Sequence, residues 1–188
     1  RVIGAPVASE RKTELPYFMG SMNKIKPDSG VIEQWKIEFA DPYVISAKLD
    51  GVSGMYVCKN GESKLYTRGN GRIGQDISFL LPYFKLPYIE DIVVRGEFLI
   101  SKEDFENKWK IQFSNPRNLV AGIINAKHLD ASRYADLKFI CYEIIKPQVL
   151  PSNGFKLLKK FGFNVVYNSI VLMKQNLTNE LLSKMLLS

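Results

Sequence analysis

The dipeptide Asn60-Gly61 constrains this chain most, because only Lys59-Asn60-Gly61-Glu62 separates two strand-like runs, 55–58 and 63–67. Asn-Gly suits the two left-handed positions of a type I′ turn, whose twist matches that of the strands it joins. A β-hairpin is the result. It returns the chain through Thr67-Arg68-Gly69-Asn70-Gly71-Arg72-Ile73-Gly74, and this loop is expected to approach the strand that leads to Lys48. Glycines at that density let backbone come close to a phosphate or a sugar, and Arg68 and Arg72 add positive charge; a plain turn explains the same residues. The spacing matches neither the dinucleotide-binding nor the Walker fingerprint.

Upstream, a strand over 43–47 runs into Ala47-Lys48-Leu49-Asp50-Gly51, which sets a lone amine beside a carboxylate and a glycine turn. This places Lys48 at the mouth of a sheet. A lysine there is ordinarily a solvated surface charge, so the stretch gains meaning only from the motifs downstream of it. Residues 92–100 read as a buried strand interrupted by Arg95-Gly96-Glu97. Charges in such a strand are costly unless they meet a partner or a site, and alternation puts Arg95 and Glu97 on one face. A cross-strand ion pair and a functional site both account for them.

Other elements come from local chemistry. A helix is expected over 31–39, a short one over 76–81, and another from the capping sequence Ser101-Lys102-Glu103-Asp104 to about residue 109. In Ser114-Asn115-Pro116-Arg117-Asn118, Pro116 fits the first helical position of a helix running to residue 126. Arg117 then lies in a first turn whose free amides favour anions. Strands over 137–145 and 165–172, a helix over 155–161 ended by Gly162, and a last helix from about 178 complete the pattern. Residues 1–40, with Pro6, Pro16, Pro27, Gly20 and Gly30, read as a lead-in that packs on a main domain over 41–188. Within it, the stretch from Phe18 through Ser21 and Met22 to Lys24 combines apolar and small polar side chains. A pocket-lining loop and a surface turn fit it equally.

Composition narrows the class. With 188 residues, 46% hydrophobic and 24% charged, the chain can build a core and is neither disordered nor membrane-like in content. No apolar run approaches the roughly 20 residues of a membrane span, so a soluble, intracellular protein without membrane partners is expected, as a monomer. The net charge of +7 favours a polyanionic partner. Cys58 and Cys141 lack metal-site spacing and read as reduced core thiols. His128, the one histidine, is set like a residue at a helix end, where a capping role is commoner than catalysis.

Taken in order, Lys48-Leu49-Asp50-Gly51, Thr67-Arg68-Gly69-Asn70-Gly71, Val94-Arg95-Gly96-Glu97 and Asn115-Pro116-Arg117-Asn118 resemble the adenylation domain of NAD-dependent DNA ligases over roughly residues 15–175, in divergent wording that points to a viral or otherwise atypical member. Lys-x-Asp-Gly alone also fits ATP-dependent ligases and capping enzymes, whereas the second and fourth elements are more particular to the NAD-dependent branch. The resemblance implies an α+β nucleotidyltransferase fold, with antiparallel sheets flanked by helices around a nucleotide cleft. It implies that Lys48 forms a covalent lysyl-AMP from NAD, that Asp50 and Glu97 are the carboxylates beside it, and that Glu97 touches the ribose or a magnesium ion. Ser21, Met22, Ser46, Leu49, Arg68 and Arg95 would border the nucleotide, and Arg72, Arg117 and Asn118 would meet nicked duplex DNA. Roles in DNA repair and replication are implied by the same resemblance.

The physics is compatible with those roles. A lysine attacks only after losing its proton, which is rare at neutral pH for a side chain with an ordinary value near 10.4; neighbouring cations and burial lower that value. Positive charge also stabilises a phosphoryl transition state, and oxygen ligands suit magnesium.

The sequence departs from the family pattern in places. Ser46 stands where the family carries an acidic residue that reads adenine, and Asn125 where it carries a basic one. The second Asp-Gly-x-Val-x-Lys element and a further lysine have no counterpart here. The chain is therefore expected to stop short of them and not to complete ligation alone. The nicotinamide-binding module, oligonucleotide-binding barrel, zinc site and helix-hairpin-helix repeats of such ligases are likewise not seen. Two other readings stay open: an ATP-dependent DNA or RNA ligase domain using the same lysine, and a catalytically idle domain that binds nucleic acid.

Overall fold

The computed structural model describes residues 11–26, 29–126 and 131–187. Expectations resting on Pro6, Pro27 and His128 lie outside them. The described residues form eight strands: β1 (Lys12–Glu14), β2 (Tyr43–Ser46), β3 (Val52–Lys59), β4 (Glu62–Thr67), β5 (Ile73–Gln75), β6 (Val93–Ile100), β7 (Leu137–Lys146) and β8 (Asn168–Val171). The helices are α1 (Val31–Glu38), α2 (Lys102–Asp104), α3 (Pro116–Asn125), α4 (Ala131–Tyr134), α5 (Pro151–Lys160) and α6 (Asn179–Leu187). A 3₁₀ segment covers Ser78–Tyr83, and a π turn, Phe105–Trp109, extends α2. This is an α+β chain whose sheets are antiparallel.

The chain divides into two compact units, one made of the segment ending at Gly20 with Leu49–Val166, the other of Ser21–Lys48 with Tyr167–Ser188. The larger unit is built on a sheet of order β4-β3-β6-β7. Asn60 and Gly61 take φ of 53° and 77°, as the type I′ turn requires. Alternation then sorts each strand. Tyr56 and Cys58 of β3 with Val94, Phe98 and Ile100 of β6 enter the main core, joined by Leu119, Val120 and Ile123 of α3 and Leu158 of α5. Met55 of β3 and Val93 of β6 turn to the other face, where Leu15 and Met19 cover them in a smaller cluster. Because one face is buried under helices, a slip of one residue would put this whole set on the wrong side, so the register is firmly specified.

The smaller unit pairs β2 with β8, Tyr43 opposite Val171 and Ser46 opposite Asn168. Its core is Ile32, Tyr43, Val171 and Leu177, supported by Trp35 and by Leu181 and Leu182 of α6. Lys36 is buried there, its ammonium donating to the Leu177 carbonyl at 3.1 Å and pairing with Glu33.

Several expectations change. The strands flanking Lys48 do not share a sheet, since β2 pairs with β8 and β3 with β4 and β6, so Lys48 is not at the mouth of one sheet but at the passage from one unit to the other. The Arg68–Gly74 loop returns to β3 and the amino-terminal strand rather than to β2: the Arg68 N–H meets the Ser53 carbonyl, and the Leu15 and Met19 N–H groups meet the carbonyls of Arg72 and Gly71, all at 2.8 Å. Its glycines serve backbone packing. Gly71 has φ of 96°, and a Cβ there would lie 2.6 Å from the Met19 carbonyl oxygen. The capping sequence at Ser101 does start a helix, with the Asp104 N–H bonded to the Ser101 hydroxyl at 3.0 Å, but the next turn widens to π. The expected 165–172 strand is regular only over Asn168–Val171.

Candidate functional site

The site in the larger unit grows from the junction of β3 and β6. Ser53 and Glu97 are register partners across these strands, as are Met55 and Arg95. Glu97 is buried at 8% exposure, a costly place for a carboxylate without donors. It has them: the Gly51 N–H at 3.1 Å on one oxygen and the Ser53 hydroxyl at 2.7 Å on the other. Gly51 is required there for space as well, since a Cβ would fall 2.0 Å from the Phe98 carbonyl oxygen. The Asp50-Gly51 turn and the Glu97 strand are thereby fastened together three residues after Lys48.

Arg95 faces the same way and is held by two partners, Glu143 at 3.0 Å and the Gly20 carbonyl at 3.1 Å. Glu143 is its register neighbour on β7, so Arg95 does make a cross-strand ion pair, with Glu143. The register slips here: Arg95 pairs with Glu143 and Gly96 with Cys141, which leaves Tyr142 as the extra residue of a bulge. Arg95 lies 5.8 Å from the Tyr142 ring centroid. Burial pushes the Tyr142 phenol above its ordinary value, while the Arg95 charge and a hydrogen bond with Ser53 pull it back.

Arg68 contrasts with Arg95. Its guanidinium makes no hydrogen bond or ion pair with the described residues, and its Nε is buried and unpartnered, as is the Nε of Arg95. A buried donor left unpaired costs free energy until something accepts from it, and an anion is the natural acceptor. Arg72 is exposed and stacks at 5.2 Å on the Phe18 ring. Arg117, in the first turn of α3, donates to Asp50 at 3.3 Å; these partners are 63% and 77% exposed, a surface pair of about 0–1 kcal/mol. Asn118 bonds to Ser114 at 2.7 Å, and its N–H is capped by Asn115 at 2.8 Å. Asn125 is tied inward, to Gln75 at 2.7 Å and the Ala121 carbonyl at 2.8 Å. Leu49 is half-buried.

In the smaller unit Ser21, Met22, Ser46 and Lys48 are all exposed. The larger unit thus links Glu97 to the Asp50-Gly51 turn, and through Asp50 to Arg117, and it also carries Arg95 and Arg68, while the smaller unit carries Lys48. Among the described residues no three His, Cys, Asp or Glu side chains form a metal cluster, and both Glu97 oxygens are engaged. Cys58 and Cys141 are buried and unpaired by disulfide, and burial pushes the Cys141 thiol up.

Sequence reasoning passed over Ser53 and Tyr142. A glycine-rich start hid the first residues of β3, though extending the hairpin alternation back from Met55 would have put Ser53 on the Glu97 face. Nothing local marks the bulge at Tyr142.

A family model described as the NAD-dependent DNA ligase adenylation domain matches residues 28–185. A DNA ligase of Acanthamoeba polyphaga mimivirus is 44% identical over 176 residues, covering 89% of this chain and 27% of that protein. A chain of Invertebrate iridescent virus 6 that carries the DNA ligase name is 44% identical over 140 residues, 71% of this chain and 22% of its own length. The chain spans about a quarter of the length of these curated relatives. A solved RNA ligase from Naegleria gruberi, a mutant with ATP and Mn, superposes with TM-score 0.42 at 16% identity, covering 96% of this chain and 52% of that one.

Proposed function

Because the chain belongs to the NAD-dependent DNA ligase adenylation domain family, we propose that it performs the adenylation chemistry of a DNA ligase, with NAD as the AMP donor and nicked duplex DNA as the acceptor. Lys48, once deprotonated, attacks the α-phosphorus of NAD, a phosphorus–nitrogen bond forms, and nicotinamide mononucleotide leaves. In the full ligase reaction to which this step belongs, AMP then passes to the 5′ phosphate at a nick, and the 3′ hydroxyl displaces it to join the strands. Arg68, whose guanidinium is unpaired among the described residues, supplies a cation for the phosphate or ribose, and Glu97, bonded through both oxygens, orients the turn that comes after the nucleophile. Arg95, Leu49, Ser46, Ser21 and Met22 border the nucleotide in this reading, while Arg72, Arg117 and Asn118 face DNA. Magnesium would arrive on the substrate's phosphates, which suits an ion that is usually bound through one or two carboxylates and phosphate oxygens.

The observation that carries this reading is the bond from the Gly51 N–H to Glu97, which couples the Lys-x-Asp-Gly turn to the Arg-Gly-Glu strand. The test is the intact mass of the polypeptide, and of Lys48→Ala, after incubation with magnesium and either NAD or ATP. An AMP adduct from NAD that Lys48→Ala abolishes is the expected result. An adduct from ATP alone would move the chain to ATP-dependent chemistry, and no adduct from either would leave a nucleic-acid-binding domain.

A further inference from the structure

We infer that a groove in the larger unit, beside the adenylation residues, is the track for the sugar–phosphate backbone of a nucleic-acid strand, with Lys102 and Lys110 as its phosphate contacts. The groove encloses about 630 Å³ and is lined by Asp50, Lys102, Phe105, Lys110, Phe113 and Arg117, among others. None of the adenylation chemistry uses Lys102 or Lys110. The inference rests on the reading of the chain as a DNA ligase domain for the identity of the strand.

The π turn builds this groove. A hydrogen bond from the Lys110 N–H to the Phe105 carbonyl, 3.0 Å, closes a five-residue turn and lets both residues line one hollow. The half-buried Phe113, backed by the core residue Phe105, gives an apolar floor for a sugar or base, while the cations lie beside polar groups of the first turn of α3. Lys102 is exposed and forms no ion pair with the described residues. Lys110 pairs with Glu106 at 2.5 Å and Arg117 with Asp50 at 3.3 Å, with every partner at least 41% exposed. Exposed pairs of this kind are weak, so both cations can exchange their carboxylates for phosphate at little cost. Cations over an apolar floor favour a polynucleotide over a free phosphate, which would need only the charges. Asp50 lines the groove two residues after Lys48 in the chain, so the track adjoins the stretch that carries the nucleophile.

The test is the affinity of the polypeptide for a labelled nicked duplex, by fluorescence anisotropy across a salt series. Lys102→Glu with Lys110→Glu is compared with Lys156→Glu and Lys159→Glu on α5, exposed residues outside the groove lining. The groove pair should weaken binding about tenfold or more, and the α5 pair less than about threefold. Lys102→Gln with Lys110→Gln should flatten the slope of log affinity against log salt by about 1.8, the value for two lost phosphate contacts. Thermal midpoints by circular dichroism check the fold, and if the double variants melt early the single Gln variants carry the comparison. Wild-type affinity retained within twofold by the groove variants, equal losses in both pairs, or no duplex binding by the wild type would overturn the inference. If binding depends on Lys102 and Lys110 while the wild type forms no AMP adduct, the groove stands and the ligase reading falls.

Discussion

Replacing Ser53 by Ala removes one hydroxyl and should loosen the larger unit at Glu97. The hydroxyl donates at 2.7 Å to a carboxylate that is 8% exposed, which also accepts from the Gly51 N–H. A hydrogen bond to a charged group contributes about 1.5–3 kcal/mol, and the half-buried serine lets some water replace it, so the lower end, about 1.5 kcal/mol, is expected. With a urea slope of about 2 kcal/mol per molar, the midpoint falls by about 0.8 M. The chain supplies its own probe: its tryptophans are Trp35, in the smaller unit, and Trp109, in the larger, so Trp35→Phe leaves a fluorescence signal from the larger unit alone. In that background a cycle of Ser53→Ala, Glu97→Gln and the double variant should give a coupling of at least about 1 kcal/mol, whereas independent sites add within about 0.5 kcal/mol. Ser53→Thr, which keeps a hydroxyl, should recover most of the loss. Additive single effects would refute the claim that Ser53 holds Glu97, and with it the idea that this serine positions the site.

Two further outcomes test other parts of the larger unit. Gly51→Ala should cost upward of about 3 kcal/mol, because its Cβ would meet the Phe98 carbonyl at 2.0 Å and not a movable side chain, so a urea midpoint near wild type would refute the close approach. Glu90 accepts hydrogen bonds from the Tyr88 hydroxyl and from the Asn60 and Gly61 N–H groups, and these hold its carboxyl below the usual range. Its anchoring of the hairpin turn is therefore complete above the ordinary carboxylate value of about 4.3 and is lost as pH falls through the lower folded value. The Asn60 and Gly61 amide resonances should titrate together below about 4.3 and lose that step in Glu90→Gln; a midpoint at or above 4.3 would refute the assignment.

The parts of this protein legible in one dimension are those that neighbouring residues decide. The Asn60-Gly61 turn, the Asn115 cap with Pro116 at the first helical position, the Ser101 cap and the positive-φ stop at Gly162 all appear where local chemistry places them. The motif set was legible for the same reason: reactive residue types at fixed spacing survive in the chain whatever it packs against. Long-range packing set the rest. The strand entering Lys48 pairs with Asn168–Val171, more than a hundred residues later, rather than with the strand leaving it. Arg95 takes Glu143, Tyr142 is extruded as a bulge, and Ser53 becomes the donor to Glu97, all through pairings between strands distant in sequence. Such pairings depend on which faces can be buried together and on the register that burial imposes, and a single segment carries no record of the partner that will cover it.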